Sequence, residues 1–174
     1  MSLLSRFFGD AESPSDVPES MQRIVAELEN FAEDRAHFLA AFAYLLARVA
    51  HADMEVDATE VAEMERTLVR AADLPESEAR LVVQIAVYQA GAIGGTDDYL
   101  VTRELRKMTE KAERVRLMRC VLAVAAADDS ITSIESREVL AIGEELGFTR
   151  PEINGLRLEY RDKLSELQKL DGER

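Results

Sequence analysis

Two stretches, 38–52 and 117–127, are apolar nearly all the way round when wound as helices. Such a helix cannot rest on a single neighbour and must be surrounded by others. The pair therefore reads as the two central helices of a bundle. Their longest uninterrupted apolar runs, Phe38–Ala47 and Cys120–Ala127, fall well short of the roughly 20 residues that span a bilayer. We expect a soluble chain. At 174 residues it forms one domain that buries about 70% of its unfolded surface.

Around these stretches apolar residues recur at helical spacing, as in Met21, Ile24, Val25, Leu28 and Phe31. Convincing strand alternation is missing. Val82, Val83, Ile85 and Val87 lie inside a helix-length stretch. The expected fold is all-α, a single-domain bundle of seven or eight helices, with helices near 19–34, 36–52, 58–72, 75–91, 98–110, 113–127, 133–146 and 150–169. Gly91–Asp98 is the clearest interior loop, and Gly147 fits the position just past a helix end. Residues 1–18 read as a flexible segment and linker, because 9–18 (GDAESPSDVP) combine Gly, two Pro, two Ser and three acids. The helical domain is then 19–174.

The formal net charge of −13 argues against a nucleic-acid binder, which needs cations to displace phosphate counterions. One cysteine excludes a disulfide scaffold or an all-cysteine zinc site, and weakly favours a reducing cytosol. The N-terminus, MSLLSRFFG, has no signal-peptide pattern. Leu3, Leu4, Phe7 and Phe8 share one helical face. That leaves open a peripheral membrane contact through residues 1–9, although a frayed terminus or one docked turn is the favoured reading. Residues 103–119 carry seven bases and three acids, so this stretch is +4 and the rest of the chain −17. The expectation is a solvated, salt-bridged face rather than a docking site for lipid or an acidic partner.

An internal repeat is visible at an offset of 75. Ala52-Asp53-Met54-Glu55-Val56-Asp57-Ala58-Thr59-Glu60 aligns with Ala127-Asp128-Asp129-Ser130-Ile131-Thr132-Ser133-Ile134-Glu135, and Glu63 with Glu138. Asp73-Leu-Pro75-Glu76 aligns with Thr149-Arg-Pro151-Glu152 one residue out of step. The halves, about 36–92 and 113–170, each read helix, acidic turn, helix, Pro turn, helix. Asp57 and Glu60, Thr132 and Glu135, Asp73 and Glu76, and Thr149 and Glu152 all have capping-box spacing. Capping leaves Asp53, Glu55, Asp128 and Asp129 unexplained. Carboxylates this dense suit a hard divalent cation. The turns are not EF-hands: Ala58 stands where that loop needs Gly and Met64 where it needs Glu.

An apolar helix followed by A-D-x-x-[VI]-x-x-x-E, carried by Leu45–Glu63 and again by Val121–Glu138, resembles the tellurite-resistance TerB-like family over roughly 36–170. Where the family motif has Gly, this chain has Met54 and Asp129. The resemblance implies an all-helical bundle in the bacterial cytoplasm, sometimes at the inner face of the membrane, and a link to tellurite and chemical stress. It also implies a divalent-metal site, which falls here on Asp53, Asp57, Glu60, Asp128 and Glu135. With Glu55 added from the first turn, these six acids are the candidate metal ligands. Ca²⁺, Mg²⁺, Mn²⁺ or Zn²⁺ is the one cofactor left open.

Catalytic material is scarce. His51 has Ala126 as its repeat counterpart and reads as a helix-end histidine. His37 has no evident partner, and Cys120 lies in an apolar run. The Gly94-Gly95 loop lacks the Lys-Ser/Thr of a phosphate cradle. The expected function is a non-enzymatic stress-response module that binds protein partners, with divalent cation as modulator and self-association left open. The alternatives are a metal-dependent enzyme using the paired acidic turns and a membrane-surface scaffold.

Overall fold

The computed structural model describes residues 19–50, 58–90, 98–127 and 131–164. These form α1 (Glu19–Leu28), α2 (Glu33–Ala50), α3 (Ala58–Ala72), α4 (Glu76–Ala90), α5 (Asp98–Met108), α6 (Lys111–Ala125), α7 (Ser133–Glu145) and α8 (Arg150–Arg157), closed by a 3₁₀ turn at Leu158–Lys163. The all-α expectation holds. The one β-type pairing among the described residues is a parallel bridge between Ile131 and Leu164. No described helix is long and apolar enough to cross a membrane.

Helix α2 is the axis of the bundle. Leu39, Phe42, Leu45, Leu46 and Val49 are buried, and so are Ala40, Ala41, Ala43 and Ala47 on its other sides. Those small residues let α4, α5, α6 and α7 pack closely around it. Glu33 and Asp34 in its first turn favour the helix dipole, and α2 starts three residues earlier than its sequence pattern suggests. Helix α6 is less enclosed than expected. Leu117, Met118, Cys120, Val121 and Leu122 are buried, but Arg116 and Arg119 are exposed and Ala123 and Val124 half-buried.

The β-branched run on α4 stays helical because Val82, Val83 and Ile85 are fully buried, and tertiary packing overrides their weak propensity. Helix α1 is shorter than 19–34. The Asn30 side chain donates to the Ala26 carbonyl (2.9 Å) and its N–H to that of Glu27 (3.2 Å), which turns the chain toward α2. The helix expected over 150–169 breaks at Tyr160 (φ −118°, ψ 25°) and ends at Leu164, buried beside Ile131.

The helix limits reproduce part of the offset: α2 and α6 end at Ala50 and Ala125, and α3 and α7 begin at Ala58 and Ser133. The third helices differ, with 15 residues in α4 and eight in α8. The four capping boxes also fare differently. Thr132 and Glu135 form a reciprocal box, with Thr132 N–H donating to Glu135 (2.7 Å) and Glu135 N–H to the Thr132 hydroxyl (3.2 Å). At α8, Glu152 accepts from both the backbone and the hydroxyl of Thr149 (2.8 and 2.9 Å). Asp73 does not cap α4. It sits at φ 56°, just past α3, and Pro75 supplies the first carbonyl of α4, accepting from Ala79. Asp57 lies outside the described residues.

Gly147 ends α7 in a Schellman turn. Its φ is 87°, its N–H donates to Glu144, and Phe148 N–H donates to Gly143 (both 3.0 Å). A Cβ there would lie 2.6 Å from Arg106 Cζ, but that is the end of a flexible, exposed side chain. Backbone strain therefore sets the outcome: Gly147→Ala lowers the unfolding free energy by about 1–2 kcal/mol, measured by urea titration. A loss within error would mean that the turn relaxes out of the left-handed region.

Candidate functional site

Of the six acids proposed as ligands, Asp53, Glu55, Asp57 and Asp128 lie outside the described residues. Glu60 is in the first turn of α3, with its side chain not described. Glu135 is buried, and its carboxylate is engaged by the Thr132 cap. Among the described residues no three His, Cys, Asp or Glu side chains are grouped to hold a metal ion. The described structure does fix the flanks of both turns. Helix α2 ends immediately before 51–57, and α7 begins shortly after 128–130.

Those flanks meet at a side chain that the sequence reading passed over. Arg48 lies in the last turn of α2, with its side chain 4% exposed. Its Nε donates to Glu138 (2.6 Å), and Nη1 donates to Glu145 (2.7 Å) and the Thr102 hydroxyl (3.0 Å). Nη2 donates to the second Glu145 oxygen (3.3 Å). Glu145 is thus gripped by both arms of a planar fork, the geometry that suits guanidinium and carboxylate best. Thr102 is fully buried on α5, while Glu138 and Glu145 stand two turns apart on one face of α7. Burial acts to lower the Arg48 pKa. The Glu145 hydrogen bond and the charges of both glutamates outweigh it, and the net shift is upward. The cation is permanent. The signal in the sequence is one arginine inside an otherwise apolar stretch from Phe38 to Ala50, together with two acids spaced by seven.

The basic stretch 103–119 is largely occupied within the fold. Lys107 pairs with Glu104 (2.7 Å), Arg119 with Glu159 (2.8 Å) and Lys111 with Glu152. Arg114 donates to the carbonyls of Arg106 (3.1 Å) and Thr109 (2.6 Å), closing the turn between α5 and α6. The hydrogen bond from Lys111, aided by those from Thr149, holds the Glu152 carboxyl down to about 2, against an ordinary 4.5. A lowered carboxyl pKa stabilises the fold fully above its unfolded value, and that contribution fades as pH falls from about 4.5 toward about 2. Glu152→Gln should therefore lower Tm at pH 7 and match wild type at pH 2. A Tm difference that is the same at both pH values would rule out this linkage.

Cys120 is buried, and burial pushes its thiol up to about 12, which leaves it protonated and unreactive. His37 is half-buried on α2. His51, the Gly94-Gly95 loop and the apolar N-terminal face fall outside the described residues.

No curated protein and no solved structure matches the chain. The family model for the tellurite resistance protein TerB matches residues 39–158, the bulk of the chain, from the core of α2 to the start of the closing 3₁₀ turn. With this match over more than half of its length and an all-helical fold around α2, this chain belongs to the TerB family.

Proposed function

We propose that this chain is a non-enzymatic helical module of a bacterial stress response, acting in the cytoplasm by binding protein partners, with a divalent cation at its acidic turns as modulator. The observation that supports this most is the Arg48 cluster. It ties the helix that enters the first acidic turn to the helix that leaves the second. Both turns are rich in carboxylates by sequence, and hard divalent cations prefer oxygen ligands. The inert Cys120 thiol supports the non-enzymatic part, since it removes the chain's one sulfur nucleophile. The duplicated helix limits support a two-half origin.

The test is calorimetric titration of Ca²⁺, Mg²⁺, Mn²⁺ and Zn²⁺ into chelator-stripped protein, wild type beside Asp53→Asn/Asp128→Asn. The expected result is saturable micromolar binding that the double variant loses. Heat equal to that of dilution for all four ions would sink the cation part and leave the turns as helix caps.

A further inference from the structure

We propose that residues 158–164 form a detachable strap on the second acidic turn: the strap opens while the bundle stays folded, and the start of α7 loosens with it. The proposal stands apart from the cation reading. It concerns a segment beyond the family match, which ends at 158.

The strap bears on the turn at one point. At Tyr160 the backbone leaves the helical region (φ −118°, ψ 25°), and Leu164 then pairs with Ile131 in a parallel bridge. Ile131 directly follows 128–130 and directly precedes Thr132, the cap of α7. Both bridge partners are buried, Ile131 at 1% exposure and Leu164 at 5%. The chain end thus presses on the residue between the acids of the turn and the cap of its helix.

The grip of the strap is light. Leu164 is the one buried residue among its described side chains, with Tyr160 half-buried and Leu158, Glu159, Arg161 and Asp162 exposed. On α6 it is held by the pair between Arg119 and Glu159, whose side chains are 46% and 42% exposed. Ion pairs in water hold weakly. The Tyr160 hydroxyl donates to the Arg119 carbonyl at 3.3 Å, long for a hydroxyl donor. Opening therefore exposes little apolar surface, which places the strap at the low end of local stability. The hydrogen bond from Arg157 to Ser136 (3.1 Å) lies before the strap and keeps α8 on α7 when it opens.

The first half is built differently. At the offset of 76, residues 158–164 correspond to 82–88, which stay inside α4. Val82, Val83, Ile85 and Ala86 are buried there and hold the helix to the core. The matching positions 158, 159, 161 and 162 are exposed Leu, Glu, Arg and Asp, which no such face would bury. The strap thus belongs to the second turn alone. By linkage, whatever grips the strap loosens the turn, and whatever fixes the turn holds the strap shut.

Hydrogen exchange read amide by amide by NMR tests this, on the full chain in chelator-treated buffer, at rising urea below the unfolding transition. In the wild type, amides 131–136 and 159–164 should share one opening equilibrium with a small urea dependence, at least about tenfold more populated than that of amides 81–89. Leu164→Ser removes the buried anchor. It should speed both segments by one common factor of at least about tenfold and keep the helical circular dichroism. Faster exchange at 159–164 with wild-type rates at 131–136 would show that the turn opens without the strap, and would overturn the proposal. Wild-type exchange of both segments only through global unfolding, or loss of helical signal in Leu164→Ser, would make the strap part of the cooperative core and overturn it as well.

Discussion

Replacing Arg48 by alanine should lower the unfolding free energy by about 3–5 kcal/mol, the usual loss when one partner of a buried ion pair is removed and the other is left behind. Glu145, with its side chain 17% exposed, would lose two hydrogen bonds and its counter-charge, and the buried Thr102 hydroxyl would lose a donor. Glu138 is 32% exposed and can regain water, so the lower half of that range is expected. Removing Arg48 also opens a gap beside α5 and α7, because its methylene stem is buried with the head group. Urea titration followed by circular dichroism measures the effect. A loss below about 1 kcal/mol, typical of exposed pairs, would mean that water already reaches the guanidinium.

Phe42→Ala should cost about 3–5 kcal/mol and lower Tm by about 10 °C. Phe42 is fully buried on the helix that four others surround, so the walls of the cavity belong to separate elements and cannot close together. Its ring lies 6.1 Å from that of Phe38, tilted by 41°, and Arg35 stacks on the outer side of Phe38, with Cζ 5.0 Å from the ring centroid. Phe38 is half-buried, and Phe38→Ala should cost clearly less than Phe42→Ala. Thermal and urea unfolding of the two variants side by side give the comparison. Equal losses would mean that the aromatic pair, and not enclosure, sets the effect. The slope of the urea transition should stay at its wild-type value in both, because neither substitution alters the surface exposed on unfolding.

The helical character of the chain was legible because it is a local property. Apolar periodicity marked α1, α3 and α8, and the continuous apolar surface of 38–52 marked α2 as central. Gly147 marked the end of α7, and Thr132 with Glu135 its start, since turn and cap chemistry is decided within a few residues. The same local reasoning misplaced Asp73. Spacing alone cannot show whether an acid begins one helix or, in the left-handed conformation, ends the one before it. It also overran α8, whose break at Tyr160 accompanies the pairing of Leu164 with Ile131, a residue 33 positions away in the chain.

The site divides the same way. The acidic turns and the motif that resembles the family's are short runs of sequence, readable without a fold. The Arg48 cluster is not, because its four members are spread over nearly 100 positions and three helices. By itself the sequence determined the helical character, the caps at Thr132 and Thr149 and the family, the first two through interactions that span one or two turns. Only the tertiary structure decided that Arg48 meets Glu138, Glu145 and Thr102. A buried charge takes its partners from whatever the packing of distant helices brings within hydrogen-bond reach.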